Sequence, residues 1–350
     1  MLVTTELAPS VWVRGTLSVV EEFDVTQQKH LKALIRARMA KTGERYAAAR
    51  RHIVEASESA VALESGVVFK AHDRHCMTAI FLPGDRELIT GGFGGQARIW
   101  SLDGEQIGEL VGHDSSVNAI EATTDGNRAV TASSDKTVRL WDLPARTQIA
   151  ELSGHRRQVT ALGIDEPNGR VWSGGHDGRI RRWDVATGEP MDTIDLGSSV
   201  TGIAVEPGGS RVAAATGASG VAIVDGASGE IAMTLDPETL SYGVRWAADG
   251  SFVMAGSADA AKVWATDEWE HVRTLRPGGP GVLPMAVSPD GSNLAIGWDH
   301  HVGVWSASSD ESEVVVAGLP KGVYGLSFSR SGSMLAIAAA DGRVRCYSVG

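Results

Sequence analysis

The chain has 350 residues, a formal net charge of −11 and only two cysteines, Cys76 and Cys346. No apolar run approaches the roughly eighteen residues of a membrane span, and the N-terminus lacks the basic start and apolar core of a secretory signal. These features predict a cytoplasmic protein without a membrane span, with reduced, buried thiols and no disulfide framework. The net acidity disfavours nucleic acid as a partner for most of the chain.

The first sixty residues differ from the rest in charge and pattern. Residues 1–60 hold nine Lys or Arg against seven Asp or Glu, whereas residues 61–350 hold 23 against 36. "VWVRGTLSVV" from Val11 alternates and predicts a strand. Asp24 is then a predicted N-cap for an amphipathic helix, and Thr42-Gly43 separates it from a second, basic helix. Residues 1–60 are therefore predicted to form a small strand-helix-helix domain.

This order of elements is similar to the ribbon-helix-helix fold of bacterial antitoxins and repressors, and "LKALIRARMAKTGERYAAARRH" resembles its helical part. In that family the polar face of the strand enters the major groove from a dimer. The resemblance implies DNA contacts by Arg14, Thr16 and Ser18 and a homodimer formed through this domain. Packing of the helices on the acidic remainder of the chain or on a partner, and a membrane-surface role, are the other interpretations.

The chain after residue 64 repeats with a period of about 41 residues. Each unit has an apolar anchor residue, and a glycine 14 to 16 residues before the anchor predicts a tight turn between two strands. The anchors, spaced 41, 42, 41, 40, 41 and 42 residues apart, are Trp100, Trp141, Trp183, Val224, Trp264, Trp305 and Tyr347. The turn glycines are Gly84, Gly126, Gly169, Gly209, Gly250, Gly291 and Gly332.

The second and third units share a polar pattern. A Gly-His pair precedes an Asp by 22 residues, and a Trp follows that Asp after six. With this pattern the chain resembles the WD40 β-propeller family, which implies an all-β fold of seven four-stranded blades over residues 64–350. The pattern predicts a buried relay in which His donates to Asp and a Ser hydroxyl links His to the Trp indole. The predicted relay residues are His113, Ser133, Asp135 and Trp141, and His155, Asp177 and Trp183.

The ends of the repeat predict how the ring closes. The chain ends three residues after the seventh anchor, so the last blade lacks an outer strand. "SGVVFKAH", residues 65–72, aligns with the outer strands of later units. Residues 66–70 are therefore predicted to complete blade seven, which avoids two exposed strand edges.

Residues at the turns between the second and third strands are candidates for partner binding. In WD40 proteins these turns surround the central channel on one face, where partner peptides bind. Exposed aromatic and arginine side chains there favour an interface, although Phe93 and Trp298 serve equally well as a cover for the core. The candidate residues are Phe93, His176 and Trp298 at these turns, with Arg156 and Arg157 from the neighbouring entry loop.

Catalytic and metal sites are not expected. The Ser, His and Asp of the relay repeat with the blade period, which favours a structural role over hydrolysis. Asp299-His300-His301 does not predict a metal site, because adjacent histidines on a strand point to opposite faces. The sequence predicts a non-enzymatic, cofactor-free scaffold for protein partners, with residues 1–60 dimerising or recruiting. The alternative is a DNA-binding regulator whose propeller senses a partner.

The DNA-binding alternative predicts a mobility shift of duplex DNA by the full chain that weakens steeply as salt rises. A chain lacking residues 1–60 should not shift the DNA. Equal behaviour of the two chains, or the absence of a salt-sensitive shift, would remove this interpretation.

Overall fold

Strands make up all the regular structure that is described. The computed structural model of the chain describes residues 11–13, 63–277, 279, 284–306, 314–316, 319 and 322–350. Within these ranges there are 29 strands in seven sheets and no helix. No helix that could cross a membrane was found in the same ranges.

The strands are numbered in chain order. The first ten are β1 (Val11–Val13), β2 (Leu63–Lys70), β3 (Cys76–Phe81), β4 (Glu87–Gly92), β5 (Gln96–Ser101), β6 (Gln106–Val111), β7 (Val117–Ala122), β8 (Arg128–Ser133), β9 (Thr137–Asp142) and β10 (Thr147–Ser153). The next ten are β11 (Val159–Asp165), β12 (Arg170–Gly175), β13 (Arg179–Asp184), β14 (Pro190–Asp195), β15 (Val200–Val205), β16 (Arg211–Thr216), β17 (Val221–Asp225), β18 (Ile231–Leu235), β19 (Gly243–Trp246) and β20 (Phe252–Gly256). The last nine are β21 (Ala261–Ala265), β22 (His271–Leu275), β23 (Met285–Val287), β24 (Asn293–Trp298), β25 (His301–Ser306), β26 (Val314–Val316), β27 (Val323–Phe328), β28 (Met334–Ala339) and β29 (Arg343–Val349).

Each sheet is one blade of a propeller. Blades one to five contain β3–β6, β7–β10, β11–β14, β15–β18 and β19–β22, each with strands in chain order. Blade six contains β23–β26, and blade seven contains β27–β29 with β2. The first strand of every blade lines a central channel. The predicted seven-bladed propeller is confirmed.

The predicted turn glycines lie between the first and second strand of each blade. All seven have a positive φ, from 65° at Gly169 to 94° at Gly84. Glycine is favoured there because it lacks the Cβ that penalises this conformation. The turns therefore recur in the sequence with the same period as the blades.

The hydrophobic core lies between neighbouring blades. Ile89 and Ile99 of blade one pack in one cluster with Trp141 of blade two, and Val130 of blade two packs with Trp183 of blade three. Each anchor therefore fills the interface with the preceding blade. A single blade would leave this apolar surface in water, so the blades depend on one another for stability.

The two cysteines lie in the interface between blades seven and one. Cys76 and Cys346 are buried, unbridged and members of the same cluster. Burial raises the pKa of both thiols. The thiolate is the reactive form of cysteine, so neither side chain is suited to nucleophilic or redox chemistry.

The chain closes the ring as predicted. β2 pairs antiparallel with β29, and it begins at Leu63, before the predicted start at residue 66. A bulge between Ser65 and Val68 of β2 interrupts the pairing with β29. Beyond the strand, the backbone amides of Ala71 and His72 both donate to the carbonyl oxygen of Gly342 at 2.9 Å. The first and last parts of the propeller are thus joined by a ladder and by the loop that follows it.

Blade six carries an additional strand from the N-terminal segment. β1 pairs antiparallel with β26, with Val11 opposite Val316 and Val13 opposite Val314. β1 is therefore the fifth and outermost strand of this sheet. The two predicted helices and the candidate DNA contacts Arg14, Thr16 and Ser18 lie outside the described residues.

Replacement of Gly66 by alanine should weaken the closure of the ring. A Cβ at this position would overlap the carbonyl oxygen of Cys346 in the neighbouring strand, although the φ of Gly66 is not positive. We expect Gly66→Ala to lower the free energy of unfolding by about 1–3 kcal/mol, as measured by urea denaturation.

Gly217→Ala is the matched control. A Cβ there meets its nearest atom at 3.7 Å, an ordinary contact. A loss of stability of the same size in both variants would contradict a specific clash at the closing strand.

Candidate functional site

A buried relay joins the histidine, a hydroxyl and the anchor tryptophan in blade two. His113 Nε2 lies 2.8 Å from Thr131 Oγ1, and the Trp141 indole donates to the same hydroxyl at 2.8 Å. His113 Nδ1 lies 2.7 Å from Asp135 Oδ2. An ionised carboxylate accepts only, so Nδ1 carries the proton and Nε2 accepts from the threonine hydroxyl. A neutral imidazole satisfies every bond of the relay.

The prediction of Ser133 as the relay hydroxyl is wrong. Ser133 donates to the carbonyl of Ser115 and accepts from the amide of Asp135, both at 3.1 Å. Both Thr131 and Ser133 lie on one face of β8, because side chains alternate with period two. The histidine ring reaches Thr131, which lies two residues farther from the loop. The hydroxyl of Ser133 is already bonded to the loop backbone.

The same spacing recurs in two other blades. In blade three, Ser173 lies 2.9 Å from both His155 Nε2 and the Trp183 indole nitrogen. In blade one, Thr90 lies at the same distance from His72 Nε2 and the Trp100 nitrogen. The hydroxyl follows the histidine by 18 residues and precedes the tryptophan by ten. This repeated spacing is the signal in the sequence that would have identified the correct hydroxyl.

The aspartates of the relay also hold the backbone of the turns. Asp135 accepts from the amides of Asp114 at 3.1 Å and Thr137 at 2.8 Å, and Asp177 accepts from Arg156 at 2.9 Å. Burial opposes ionisation of Asp135, but the hydrogen bonds from Thr137 and His113 outweigh it and lower its pKa. The structure thus brings His113, Asp135 and Trp141 of the predicted set into one network.

Arginines two residues before the anchor were missed by sequence reasoning. Arg345 of blade seven bonds Asp341 at 2.6 Å, where buried Leu319 occupies the histidine position. Arg181 of blade three lies 3.2 Å from Asp177. The strings "VRLW", "IRRW" and "VRCY" show this arginine at a constant offset. It replaces histidine as the partner of the aspartate in blade seven.

The face that carries the Gly-His loops and the turns between second and third strands is here named the His-loop face. Antiparallel alternation places both sets of connections at the same end of every blade. Phe93 is 40% exposed, Arg156 and Arg157 are exposed, and His176 is half-buried. Of the candidate residues, these four are accessible to a partner.

The interpretation of Trp298 as an exposed aromatic is wrong. Its side chain is 7% exposed, with its ring stacked on His301 at 5.5 Å and packed against the anchor Trp305 at 6.1 Å. A Cβ at Gly303 of the third strand would overlap both tryptophan rings, so the absence of a side chain there leaves the space that Trp298 fills at the end of the core. His300 bonds the carbonyl of Leu319 at 3.0 Å, and therefore the two histidines do not converge on a metal.

Phe93 belongs to a cluster of mutually tilted aromatic rings, here named the aromatic stack, at the interface of blades one and seven. His75 packs against Phe93 at 4.9 Å and against Tyr324 at 5.4 Å between ring centroids. The Arg74 guanidinium lies 5.5 Å from the centre of the Phe93 ring. Tyr324 is 43% exposed and lines the channel. Sequence reasoning missed Tyr324 and His75, because only the closed ring brings their blades together.

Polar side chains tie neighbouring blades together around the channel. Asn118 donates to the carbonyl of Val159 at 2.8 Å, and Thr160 donates to Val200 at 2.7 Å. Thr201 continues the series with a bond of 2.7 Å to the carbonyl of Ser241. Each bond joins one blade to the next, so the rim of the channel is fixed by the order of the ring.

The channel itself encloses about 170 Å³ and contains two opposite charges. Glu121 of blade two is accessible to solvent inside the channel. Desolvation by the surrounding protein raises the pKa of Glu121, and the charges of Arg245 and Arg330 oppose this shift. Desolvation likewise lowers the pKa of Arg245 in blade five. No hydrogen bond or ion pair joins these two described residues. In the described ranges no group of three or more potential ligands is arranged to hold a metal ion.

The repeats match a known family. The sequence model for the WD domain, G-beta repeat matches residues 104–142, 146–184 and 314–348. The chain carries WD40 repeats. These three stretches fall in blades one to three and in blades six and seven. The sheets have at least four strands in all seven positions, so the propeller extends beyond the matched repeats.

Three curated relatives are similar to part of this chain. U3 small nucleolar RNA-associated protein 12 of Saccharomyces cerevisiae is 34% identical over 70 residues, which is 19% of this chain and 7% of that protein. Ribosome biogenesis protein WDR12 homolog of Trichoplax adhaerens is 45% identical over 58 residues, 16% and 13% of the two chains. Kinesin-like protein KIF21B of Homo sapiens is 38% identical over 73 residues, 21% and 4%. The chain thus matches only a small part of each relative.

Removal of the WD40 aspartate in blade two should destabilise the protein. We expect Asp135→Ala to lower the free energy of unfolding by roughly 2–4 kcal/mol, because buried His113 and two backbone amides lose their acceptor. Asp114→Ala, which removes an exposed carboxylate from the same loop, is the control. An unchanged melting temperature of Asp135→Ala would contradict the role of the relay.

Acid should destabilise the WD40 relays through their histidines. Burial, with the charge of Arg98, lowers the pKa of His72 from 6.5 to about 4, and burial lowers the pKa of His113 and His155. The folded protein keeps these rings neutral, while the unfolded chain takes up protons below pH 6.5. The free energy of unfolding therefore keeps its full value above pH 6.5 and falls as the pH drops from 6.5 to 4. His72 alone contributes about 3 kcal/mol to this loss.

Melting temperatures measured from pH 7.5 to 4 check this expectation. His72→Gln should show a shallower fall than the unaltered protein, and His271→Gln, on an exposed outer strand, should show the same fall. An identical pH dependence of all three proteins would rule out a contribution of His72.

Proposed function

We propose that the protein is a non-enzymatic scaffold that binds protein partners on the His-loop face of its WD40 propeller. The observation that carries this proposal is the aromatic stack of Phe93, His75 and Tyr324. Two of its rings are more than one-third exposed, although aromatic side chains of this size are usually buried. Exposed aromatics beside an arginine are typical of the residues that contribute most to protein interfaces.

The arrangement of the stack supports binding without rearrangement. His75 packs against both neighbouring rings, and the Arg74 guanidinium lies over the ring of Phe93. Rings that are already packed lose little rotamer freedom when a partner covers them. The adjoining channel mouth supplies a concave edge for an inserted side chain.

The saturated relays support a role without catalysis. In blades one to three, each histidine, hydroxyl and indole is enclosed and bonded to another member of its relay. A nucleophile or general base requires access to a substrate, which these buried groups lack. Within the described residues, Glu121 and Arg245 are charged groups in a cavity, and the channel offers no hydroxyl-histidine pair beside them.

The relatives support a role of this chain in binding proteins, and they do not assign it to a pathway. Their names refer to a small nucleolar RNA-associated protein, a ribosome biogenesis protein and a kinesin-like protein. The regions shared with this chain are only 58 to 73 residues long, so the roles of the whole relatives do not carry over to it. A cytoplasmic location stays a prediction from the sequence.

Residues 1–60 supply the second part of the proposal. A basic segment attached to an acidic propeller is suited to recruitment or dimerisation, and β1 on blade six places its first strand at the rim. DNA binding through Arg14, Thr16 and Ser18 stays an alternative prediction.

Affinity capture from host lysate tests the proposed face. We expect Phe93→Ala/Tyr324→Ala to lose partners that the unaltered full-length protein retains, because the substitutions remove the exposed rings and leave the relays intact. A chain lacking residues 1–60 separates partners of the propeller from those of the N-terminal segment.

Ile231→Ala/Met233→Ala is the matched control. It removes two exposed apolar side chains from β18, on the rim of blade four. Retention of every partner by the Phe93 and Tyr324 variant, with an unchanged melting temperature, would show that this face is not the binding surface.

A further inference from the structure

We propose that blade three presents, on the His-loop face, a binding site for an anionic side chain of a partner protein, built from Arg156, Arg157 and His176. The proposal rests on the proposed function, because it names the chemistry of the partner that this face binds. The site lies two blades from the aromatic stack of Phe93 and Tyr324, so the two sites make separate contacts.

Backbone hydrogen bonds hold the two loops of the site together. The amide of Arg156 donates to Asp177 Oδ2 at 2.9 Å, and the amide of His176 donates to the carbonyl oxygen of Gln158 at 2.9 Å. The Ser199 hydroxyl also lies 3.3 Å from the carbonyl oxygen of His176. The backbone positions of the two loops relative to each other are therefore fixed before a partner arrives.

A side-chain network sets the orientation of the His176 ring. Gln158 Nε2 lies 2.7 Å from His176 Nδ1, and an amide nitrogen only donates. Ser134 Oγ lies 3.5 Å from Gln158 Oε1 and 3.0 Å from Asn118 Nδ2, which connects the amide to the channel rim. With Nδ1 as the acceptor, the proton of the neutral ring is on Nε2. The Nε2 N–H of His176 therefore forms no hydrogen bond to a described residue and can donate to a ligand.

The two arginines supply charge that no described residue neutralises. Within the described part of the chain, neither guanidinium group forms a hydrogen bond or an ion pair, and both residues are exposed. Elsewhere in blade three, Arg179, Arg181 and Arg182 are each paired with an aspartate. Burial lowers the pKa of His176, and the charge of Arg157 lowers it further.

These groups fit a carboxylate or a phosphate. A guanidinium group donates in a planar fork that matches both anions, and the imidazole N–H adds a further donor. The site is open to solvent, so an anion held only by these groups would exchange rapidly. A partner segment that also covers the aromatic stack gives the anion a high local concentration. A free metabolite lacks this second contact, which favours an acidic or phosphorylated peptide segment.

NMR spectra of the histidine ring resonances of the full-length protein test the site directly. Sodium phosphate and sodium acetate are titrated at constant ionic strength, with chloride as the reference salt, and His176→Gln assigns the His176 resonance. We expect a saturable shift of this resonance with at least one of the two anions. Arg157→Ala should weaken the apparent affinity about tenfold, because a hydrogen bond to a charged group is lost.

Arg86→Ala is the matched control, because it removes one exposed arginine from the turn on the opposite face. Its titration should equal that of the unaltered protein. A linear shift without saturation, or the same affinity in Arg157→Ala, would overturn the proposal.

Fluorescence anisotropy with three labelled peptides then distinguishes the sources of the anion. The peptides are identical except for a central phosphoserine, glutamate or glutamine. Stronger binding of the phosphoserine peptide supports a phosphorylated partner, and equal binding of phosphoserine and glutamate supports an acidic one. Equal binding of all three, or tighter Arg157-dependent binding of a ten-nucleotide uridine oligomer, would overturn a peptide anion site.

The two proposals fail in different ways. If the Phe93 and Tyr324 variant retains every partner but the His176 shift saturates, the aromatic surface is wrong and the anion site stands. If that variant loses its partners while no anion shifts His176, the scaffold stands and the anion site is overturned.

Discussion

The pairing of β2 with β29 is the constraint on which the rest of the molecule depends. Each blade buries its apolar surface against its neighbours, so an open chain of blades would expose one surface at each end as well as two sheet edges. The closing strand removes both costs by joining residues 63–70 to the last blade. It also brings Cys76 and Cys346 into one core cluster and places Tyr324 beside His75. The proposed interaction surface therefore exists only in the closed ring.

The relays have a second role, which is to hold the loops of the His-loop face. In blade three, Asp177 bonds the relay histidine and also the backbone of Arg156. The same carboxylate thus stabilises the interior of the blade and positions the loop that carries the proposed anion site. Buried polar networks of this kind are costly when incomplete, so the interior and the surface are energetically coupled.

The blades are not equivalent in this respect. Blades one to three carry a complete hydroxyl, histidine and tryptophan set, and blade seven pairs Asp341 with Arg345. Blade four has Val224 as its anchor, and its interior is filled by small apolar residues such as Ala213 and Ala215. Both proposed contacts lie on blades that have polar interiors. Rigid loops are best suited to hold donors and aromatic rings in fixed positions.

The sequence by itself determined the blade count, the turn glycines, the closing strand and the relay positions of His113, Asp135 and Trp141. These features recur with the period of the chain or follow from local backbone geometry, so they can be read without knowledge of distant contacts. Only the tertiary structure decided that Thr131 and not Ser133 bridges the relay, because both residues share a face of β8 and differ only in their distance from the ring. It also decided that Trp298 is buried and Tyr324 exposed. Exposure depends on which side chains from other strands and blades cover a ring, and neither hydrophobicity nor spacing specifies that cover.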